Sequence, residues 1–172
     1  MSKGIDLGAL TIASLLCFTC VNANEIDNKF FVGTSVVLNG DYKIEQPASF
    51  NIGYQFHPNF AVELTQIDFG EFDSTDNIDN IDVDGYSASF IAKYPLGNFN
   101  LYGKLGAFAW FEEGVTVDPY GMPPIVTSID NSGTAALFGA GVNYHFNDHI
   151  ALKAEIVRSE FNHFGFGIDI YF

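Results

Sequence analysis

The last nine residues of the chain alternate strictly between apolar side chains and small, polar or tyrosine side chains. Phenylalanine or isoleucine occupies every second position from Phe164 to Phe172. Such period-2 alternation indicates a β-strand with one apolar face. A strand in a soluble sandwich also alternates, but seven segments upstream repeat the pattern. The repetition predicts a transmembrane β-barrel, whose strands point apolar side chains towards lipid and polar side chains inward.

The alternation predicts eight strands in all. They cover about residues 29–38, 48–56, 60–69, 86–94, 99–111, 134–146, 150–157 and 164–172. Each is near the roughly 9 to 11 residues that a tilted membrane strand requires. In the third strand the phase changes beyond Gln66, so that Ile67 and Phe69 join the outward face, which predicts a β-bulge. The expected fold is an all-β, eight-stranded antiparallel up-and-down transmembrane β-barrel.

The connections between these strands alternate between short and long. Residues 57–59, 95–98 and 147–149 form the short connections, and residues 39–47, 70–85, 112–133 and 158–163 form the longer ones. Outer-membrane barrels have short periplasmic turns and long outer loops. In that orientation, aromatic residues of separate strands meet at the periplasmic end as one girdle: Phe30, Phe56, Phe60, Tyr94, Phe99, Phe146 and Phe172.

The composition restricts the partners of the chain. The formal net charge is -14, yet the chain carries 18 Phe and 8 Tyr. Disordered acidic chains have few aromatic residues, so we expect a fold that separates the acids from the apolar surface. Binding of nucleic acid, or docking on anionic lipid through a basic patch, needs clustered lysine and arginine. The charge therefore argues against nucleic acid as a partner.

Residues 1–23 are predicted to be a cleaved signal peptide. Lys3 precedes an uncharged and largely apolar run from Leu7 to Val21. This run is shorter than the roughly 20 residues of a membrane-spanning helix but fits the apolar region of a signal peptide. Val21 and Ala23 supply small residues at positions -3 and -1, so we place cleavage after Ala23. Residues 24–172 are then the barrel domain.

Both cysteines of the chain lie within this predicted signal peptide. Cys17 and Cys20 have the C-x-x-C spacing of a redox pair or of half a metal site. We interpret them as apolar residues of the discarded segment. Leu16 and Thr19 precede them where a lipoprotein signal has a small residue. The mature chain is therefore expected to contain no cysteine and no disulfide.

Three stretches resemble the central hairpin of the OmpA-like family of small, porin-type outer-membrane β-barrels. They are residues 83–87, 93–96 and 101–107. The resemblance extends over roughly Phe30 to Phe172, and the terminal Phe172 is similar to the signal by which family members are recognised for assembly. It implies the outer membrane of a Gram-negative bacterium as the location, and lipids, lipopolysaccharide and the barrel-assembly machinery as partners. Because the sequence stops at its last strand, we expect no peptidoglycan-binding domain.

Six charged residues fall on the inward phase of the predicted strands: Glu63, Lys93, Lys104, Lys153, Glu155 and Asp169. An eight-stranded barrel is just wide enough for side chains to fill it, and buried charges must be paired. We therefore expect a structural network of salt bridges. The alternative is a narrow channel for small solutes. Phe108 and Trp110 share the inward phase near the outer end, where we expect them to pack rather than to line a ligand pocket.

The segment from Asp68 to Asp84 carries seven acids: Asp68, Glu71, Asp73, Asp76, Asp79, Asp82 and Asp84. An EF-hand read from Asn80 would need glutamate where Ile91 stands, so that motif is rejected. We interpret the segment as a solvated outer loop. The functional alternative is weak binding of Ca²⁺ or Mg²⁺ by the carboxylates of five aspartates: Asp73, Asp76, Asp79, Asp82 and Asp84. The bound cation would bridge the loop to lipopolysaccharide phosphates.

Catalysis is the main competing class of function, because some small outer-membrane barrels modify lipids or cleave proteins. The candidate residues are His145, His149 and His163, with Glu155, Glu160 and Ser159. A barrel of the lipid A deacylase type would have serine two residues after its histidine, where this chain has Asn147, Ala151 and Gly165. We therefore expect no enzyme and no cofactor. The favoured function is a structural, surface-presenting barrel whose loops bind external partners.

Overall fold

The structure is a computed structural model that describes residues 29–38, 47–73, 78–118 and 125–172. Eight antiparallel strands form a closed barrel in which each strand pairs with its sequence neighbours and the first pairs with the last. The strands are β1 (Lys29–Leu38), β2 (Ala48–His57), β3 (Phe60–Asp73), β4 (Ile78–Leu96), β5 (Phe99–Asp118), β6 (Ile125–His145), β7 (Ile150–Arg158) and β8 (His163–Tyr171). The predicted eight-stranded up-and-down barrel is confirmed.

The predicted signal peptide lies outside the described residues. Its cleavage after Ala23 and the interpretation of Cys17 and Cys20 therefore remain predictions. Within the described ranges, no helix is long and apolar enough to cross a membrane, a criterion that leaves strands out of account. We call the end of the barrel with the short turns the periplasmic end and the opposite end the extracellular end, following the usual orientation.

Four strands are longer at the extracellular end than the sequence pattern predicts. β3, β4, β5 and β6 have 14, 19, 20 and 21 residues, whereas β1 has 10. The prediction of loops over residues 70–85 and 112–133 was therefore wrong for most of both segments. Residues 115–117 and 125–127 are rich in valine, isoleucine and threonine, which favour strands. We call residues 70–73, 78–85, 112–118 and 125–133 the extracellular extension.

The third strand contains its bulge at Gly70 rather than beyond Gln66. Pairing with β4 is continuous as far as Asp68, after which two residues of β3, Phe69 and Gly70, stand opposite the single residue Val83 of β4, and Gly70 has a φ of 76°. Because the phase is kept up to that point, Ile67 and Phe69 point inward and are only 2% and 0% exposed. The prediction that they face lipid was wrong, because the extracellular half of the interior is itself apolar.

This half of the interior is filled by a cluster of packed hydrophobic side chains, which we call the apolar plug. Its members are Val37, Ile67, Phe69, Val83, Phe108, Leu137, Val157 and Phe161, with Trp110 packed against them. The rings of Phe69 and Phe161 lie 5.2 Å apart, and those of Phe69 and Phe108 lie 6.2 Å apart. The expected packing of Phe108 and Trp110 is confirmed. Gly85 allows this packing, because a Cβ there would lie 2.5 Å from the Phe108 ring.

The outer wall of the barrel presents the apolar face that the alternation predicts. Leu64, Leu105 and Phe166 are among the many large hydrophobic side chains that are exposed there. The seven aromatic residues expected in the periplasmic girdle are all exposed too, from 38% for Phe60 to 66% for Tyr94. They lie near the strand ends on the side of the barrel that carries the short connections. This is the arrangement of a lipid-facing band bordered by aromatic side chains.

Candidate functional site

The periplasmic half of the interior is polar and contains the six inward charges of the sequence pattern. Glu63, Lys93, Lys104, Lys153, Glu155 and Asp169 lie on five different strands and are between 1% and 7% exposed. Three are lysines and three are carboxylic acids. The formal charges of this group therefore cancel, which buried charges require if they are to remain ionised.

Lys104 lies at the centre of this network and contacts two carboxylates. Its Nζ is 2.6 Å from Glu63 Oε1 and 2.8 Å from Glu155 Oε2. The Tyr102 hydroxyl donates a further hydrogen bond to Glu155 Oε2 at 2.9 Å. Short bonds between ionised groups in a dry interior are the strong class of hydrogen bond. Strands β3, β5 and β7 are thus joined across the lumen.

Lys153 forms the second part of the network, together with Asn51. Its Nζ lies 3.2 Å from Asp169 Oδ1 and 3.8 Å from Glu63 Oε2. Asn51 accepts a hydrogen bond from Lys153 and donates to Glu63 and Asp169. The sequence pattern placed Asn51 on the inward phase, but a neutral amide gave no reason to include it in the site. Its role depends on contacts between distant strands.

Lys93 departs from the expected pairing. The ion pairs among the described residues all involve Lys104 or Lys153. Instead, Lys93 Nζ donates to Gln55 Oε1 at 2.9 Å and lies 5.2 Å and 5.3 Å from the ring centroids of Phe31 and Tyr171. An amide oxygen and two aromatic faces therefore stabilise this ammonium group, which lies near the periplasmic end.

Side chains leave almost no free space within this polar half of the interior. The cavity beside Lys93, Asn143 and Tyr171 has a volume of about 10 Å³. That is about the space that one water molecule needs. A polar space of about 330 Å³ opens at the periplasmic end, where Lys29, Gln55 and His145 are among its lining residues. The lumen is thus open at one end and filled further in.

The aspartates proposed as cation ligands are only partly described. Asp76 lies outside the described residues, and for Asp73 and Asp79 the structure gives the backbone pairing alone. Asp82 and Asp84 are exposed. Among the described residues, no group of three or more side chains is arranged to hold a metal ion. These five aspartates therefore remain a proposal.

Acidic residues nevertheless face one another across the strands of the extension. Asp84 pairs with Asp68, and Asp82 pairs with Glu71 on one side and Glu113 on the other. Partial burial, together with the negative charges of Asp68, Asp82 and Glu113, raises the pKa of Asp84. Like charges directly opposite each other destabilise a sheet, so bound cations would relieve this repulsion.

The histidines considered for catalysis make other contacts. The ring nitrogens of His145, His149 and His163 are hydrogen-bonded to the Asn100 amide, the Tyr171 carbonyl and the Phe161 carbonyl, respectively. Ser159 donates to the Phe161 carbonyl within its own turn. In the part of the chain that the structure describes, none of these histidines is hydrogen-bonded to a serine hydroxyl, so no nucleophile and base are paired there.

Phe172 lies in the ladder that closes the barrel. Its backbone N–H donates to the Phe30 carbonyl at 2.9 Å, and its carbonyl accepts from the Phe30 N–H at 3.1 Å. The two rings are stacked with centroids 6.4 Å apart. Phe172 thus belongs both to the β1–β8 seam and to the aromatic girdle.

Several solved structures share the fold of this chain. Ail, the attachment invasion locus protein of Yersinia pestis, has 20% sequence identity and a TM-score of 0.55, over 84% of this chain and 96% of that chain. The N-terminal barrel of Pseudomonas aeruginosa OprF has 14% identity and a TM-score of 0.60, over 84% and 97%. Neisserial surface protein A has 12% identity and a TM-score of 0.56, over 84% and 96%.

Another structure shows Ail in complex with the heparin analogue sucrose octasulfate, with 22% identity and a TM-score of 0.52 over 84% of this chain and 96% of that chain. At these identities the similarity shows the fold alone. No curated protein matches the sequence. The family of outer membrane protein beta-barrel domains, however, matches residues 13–169, which is most of the chain. The chain therefore belongs to this family and is a protein of the outer membrane.

Proposed function

We propose that the protein is a closed, non-conducting barrel that presents the extracellular extension at the cell surface. The observation that carries the proposal is the length of β4, β5 and β6, which have 19 to 21 residues. A tilted strand needs only about 9 to 11 residues to cross the membrane. About half of each of these strands therefore extends beyond the bilayer as paired sheet, a firm support for the connections above it.

The filled interior supports a structural role over the alternative of a channel. A solute entering from the periplasmic end meets the salt bridges of Lys104 and Lys153 and then the apolar plug. Charged or hydrated solutes lose their water in such an apolar constriction, which is costly. The contacts of the histidines likewise favour a non-catalytic role.

We expect planar lipid bilayers that contain the refolded mature chain to show no stable ion conductance, because both layers of the interior would have to rearrange to open a path. The measurement needs a known porin as a positive control, and a gel-mobility assay to show that the barrel is folded and inserted. Reproducible single-channel currents from the folded protein would contradict a non-conducting barrel and favour the channel class.

The charge of the extension restricts its external partners. The described acids at or near its base include Asp68, Asp82, Asp84, Glu112, Glu113 and Asp130. Whereas Ail has been solved with a sulfated, polyanionic ligand, this acidic surface opposes a polyanion. We infer that an external partner of this chain is cationic or is bridged by divalent cations.

We expect Ca²⁺ or Mg²⁺ to bind the extension weakly, with a dissociation constant on the order of 10⁻⁴ to 10⁻³ M, as in loosely built extracellular sites. The variant Asp76→Asn, Asp79→Asn, Asp82→Asn should lose this binding in calorimetry, and the barrel should stay folded. Replacing Asp148, in a periplasmic turn, by asparagine is the matched control. Because the pKa of Asp84 is raised, protons should compete with the cation from a higher pH than at an ordinary aspartate. No heat of binding up to several millimolar would rule out the cation site.

We also propose that Phe172 is read by the barrel-assembly machinery. Phe172→Ala keeps the backbone pairing with Phe30 but removes the terminal ring, so we expect less inserted protein in a membrane-fractionation assay. Deletion of Asn24 to Asp27, which precede β1, is the control and should insert normally. Equal insertion of the two variants would show that the ring is not the signal.

A further inference from the structure

The polar cavity of about 330 Å³ at the periplasmic end of the lumen has properties that the functions considered so far do not use. We call it the periplasmic mouth. Lys29, Gln55, Asn147 and Asp148 are among its lining residues. Tyr171 lines it too, and also lines the cavity of about 10 Å³ beside Lys93, so the mouth ends against the filled interior. A solute that enters it from the periplasm therefore has to leave on the same side.

The periplasmic mouth is positively charged, although the formal net charge of the chain is -14. Lys29 lines the cavity. Lys93 lies directly behind it, because the Lys93 ammonium group donates to Gln55 and lies 5.3 Å from the ring centroid of Tyr171. The ion pairs among the described residues involve neither of these two lysines. The one acidic side chain in the lining is Asp148, which is exposed to solvent.

Two side-chain amides of the mouth have their oxygen atoms already engaged. Gln55 accepts the hydrogen bond from Lys93 through Oε1 at 2.9 Å. Asn147 accepts two backbone hydrogen bonds through Oδ1, from the N–H groups of His149 at 2.9 Å and Ile150 at 2.8 Å. An amide carries its acceptor and its donors on opposite ends. The ends that remain for a ligand are therefore the donor nitrogens, Nε2 of Gln55 and Nδ2 of Asn147.

A cavity with an ammonium group and oriented amide donors is complementary to an oxyanion. Carboxylate and phosphate oxygens accept hydrogen bonds, and bonds from a charged donor to an ionised oxygen are the strong ones. A cation would instead be repelled by the two lysines, and an apolar solute would leave the donors unpaired. The volume of about 330 Å³ is at the lower end of the range of about 300 to 1,000 Å³ for ligand pockets, so we expect a small ligand.

We propose that the periplasmic mouth binds a small oxyanion, the carboxylate or phosphate group of a periplasmic solute. Its oxygens accept hydrogen bonds from Lys29 Nζ, Gln55 Nε2 and Asn147 Nδ2, and the charge of Lys93 behind Gln55 adds to the attraction. Because the mouth is open to water, salt screens these charges and weakens the binding. The site lies at the opposite end of the barrel from the extracellular extension, so the proposal is independent of the surface-presenting function.

Calorimetric titration of the refolded mature chain in a chloride buffer of low ionic strength tests the proposal. Three probes are compared: succinate, inorganic phosphate and the uncharged succinamide. We expect heat of binding from succinate, from phosphate or from both, and none from succinamide. Binding of one anion alone would support the site and identify the source of the oxyanion. Lys29→Gln should weaken the binding roughly tenfold, the effect of losing one charge-assisted hydrogen bond, whereas Lys29→Arg should retain it.

Two variants serve as matched controls. Arg158→Gln removes the same charge at the extracellular end of β7 and should bind the anions like the wild type. Asp148→Asn removes the acid that lines the mouth and should bind them more tightly. A gel-mobility assay confirms that each variant is folded. The absence of heat from both anions, equal affinity of folded Lys29→Gln and the wild type, or equal losses for Lys29→Gln and Arg158→Gln would each overturn the proposal, as would equal heats from succinamide and succinate.

Discussion

Replacing Lys104 by methionine is expected to lower the free energy of unfolding by about 3 to 5 kcal/mol. The substitution keeps most of the side-chain volume but leaves Glu63 and Glu155 without the ammonium group that lies 2.6 Å and 2.8 Å from their oxygens. Two carboxylates would then share a buried space with one ammonium group fewer to neutralise their charge. Urea unfolding in lipid vesicles, followed by the fluorescence of Trp110, measures the change.

Lys93→Met is the matched control for this prediction. Lys93 and Lys104 are both 6% exposed, but Lys93 donates to the neutral Gln55 and forms no ion pair with a described carboxylate. Removing its charge therefore leaves an unpaired amide oxygen rather than an unpaired carboxylate. We expect the free energy of unfolding to fall by about 1 to 3 kcal/mol. Equal losses for the two variants would mean that volume, and not ion pairing, determines the stability of the interior.

The short strands were predictable because their whole length lies within the membrane. In β1, every second side chain faces lipid and the others face the lumen, so alternation alone marked the strand from Lys29 to Leu38. β5 and β6 cross the membrane and then continue in water. Gly114, Asp118 and Gly133 interrupt the apolar pattern there, yet the two strands remain paired as far as Asp118 and Ile125. Pairing of this kind depends on the sequence of the partner strand. The periodicity of one segment carries no information about that partner.

The error at Ile67 and Phe69 has a related cause. An apolar residue in a barrel strand is compatible with lipid on one face and with an apolar interior on the other. At these two positions the sequence pattern assigned the apolar side chains to the lipid face, as in the usual outer-membrane alternation. In this chain the plug makes the extracellular half of the lumen apolar, so hydrophobicity no longer distinguishes the two faces at that height.

The interior site was predictable as a set of residues but not as a set of contacts. Parity along each strand placed Glu63, Lys104 and Asp169 in the lumen. Which charges meet depends on the stagger between strands, since residues at the same height are far apart in sequence. The contact between Asn51 and Asp169 crosses 118 positions. Gly33 is also needed, because a Cβ there would overlap the Asp169 carboxylate and lie 2.7 Å from Asn51 Oδ1.

The second large effect is expected on the lipid face, where Ala140→Arg should cost about 2 to 4 kcal/mol of unfolding free energy. Ala140 is exposed and pairs with Gly103 on β5 and Ile156 on β7. It lies six positions from Phe146 of the periplasmic girdle, roughly halfway along a membrane-spanning stretch of about 10 residues. A guanidinium group at this height is far from the headgroups at both interfaces.

Two further variants separate this cost from a general sensitivity of β6. Ala140→Leu places a larger apolar side chain at the same position and should leave the stability nearly unchanged, because the side chain enters lipid rather than the packed lumen. Asn143→Ser, on the inward phase of the same strand, should cost less than the arginine substitution, because a polar side chain remains in a polar layer. Unfolding in lipid vesicles compares the three. If Ala140→Arg unfolds at the urea concentration of the wild type, Ala140 does not face the middle of the bilayer, and the lipid-facing assignment of β6 would have to be abandoned.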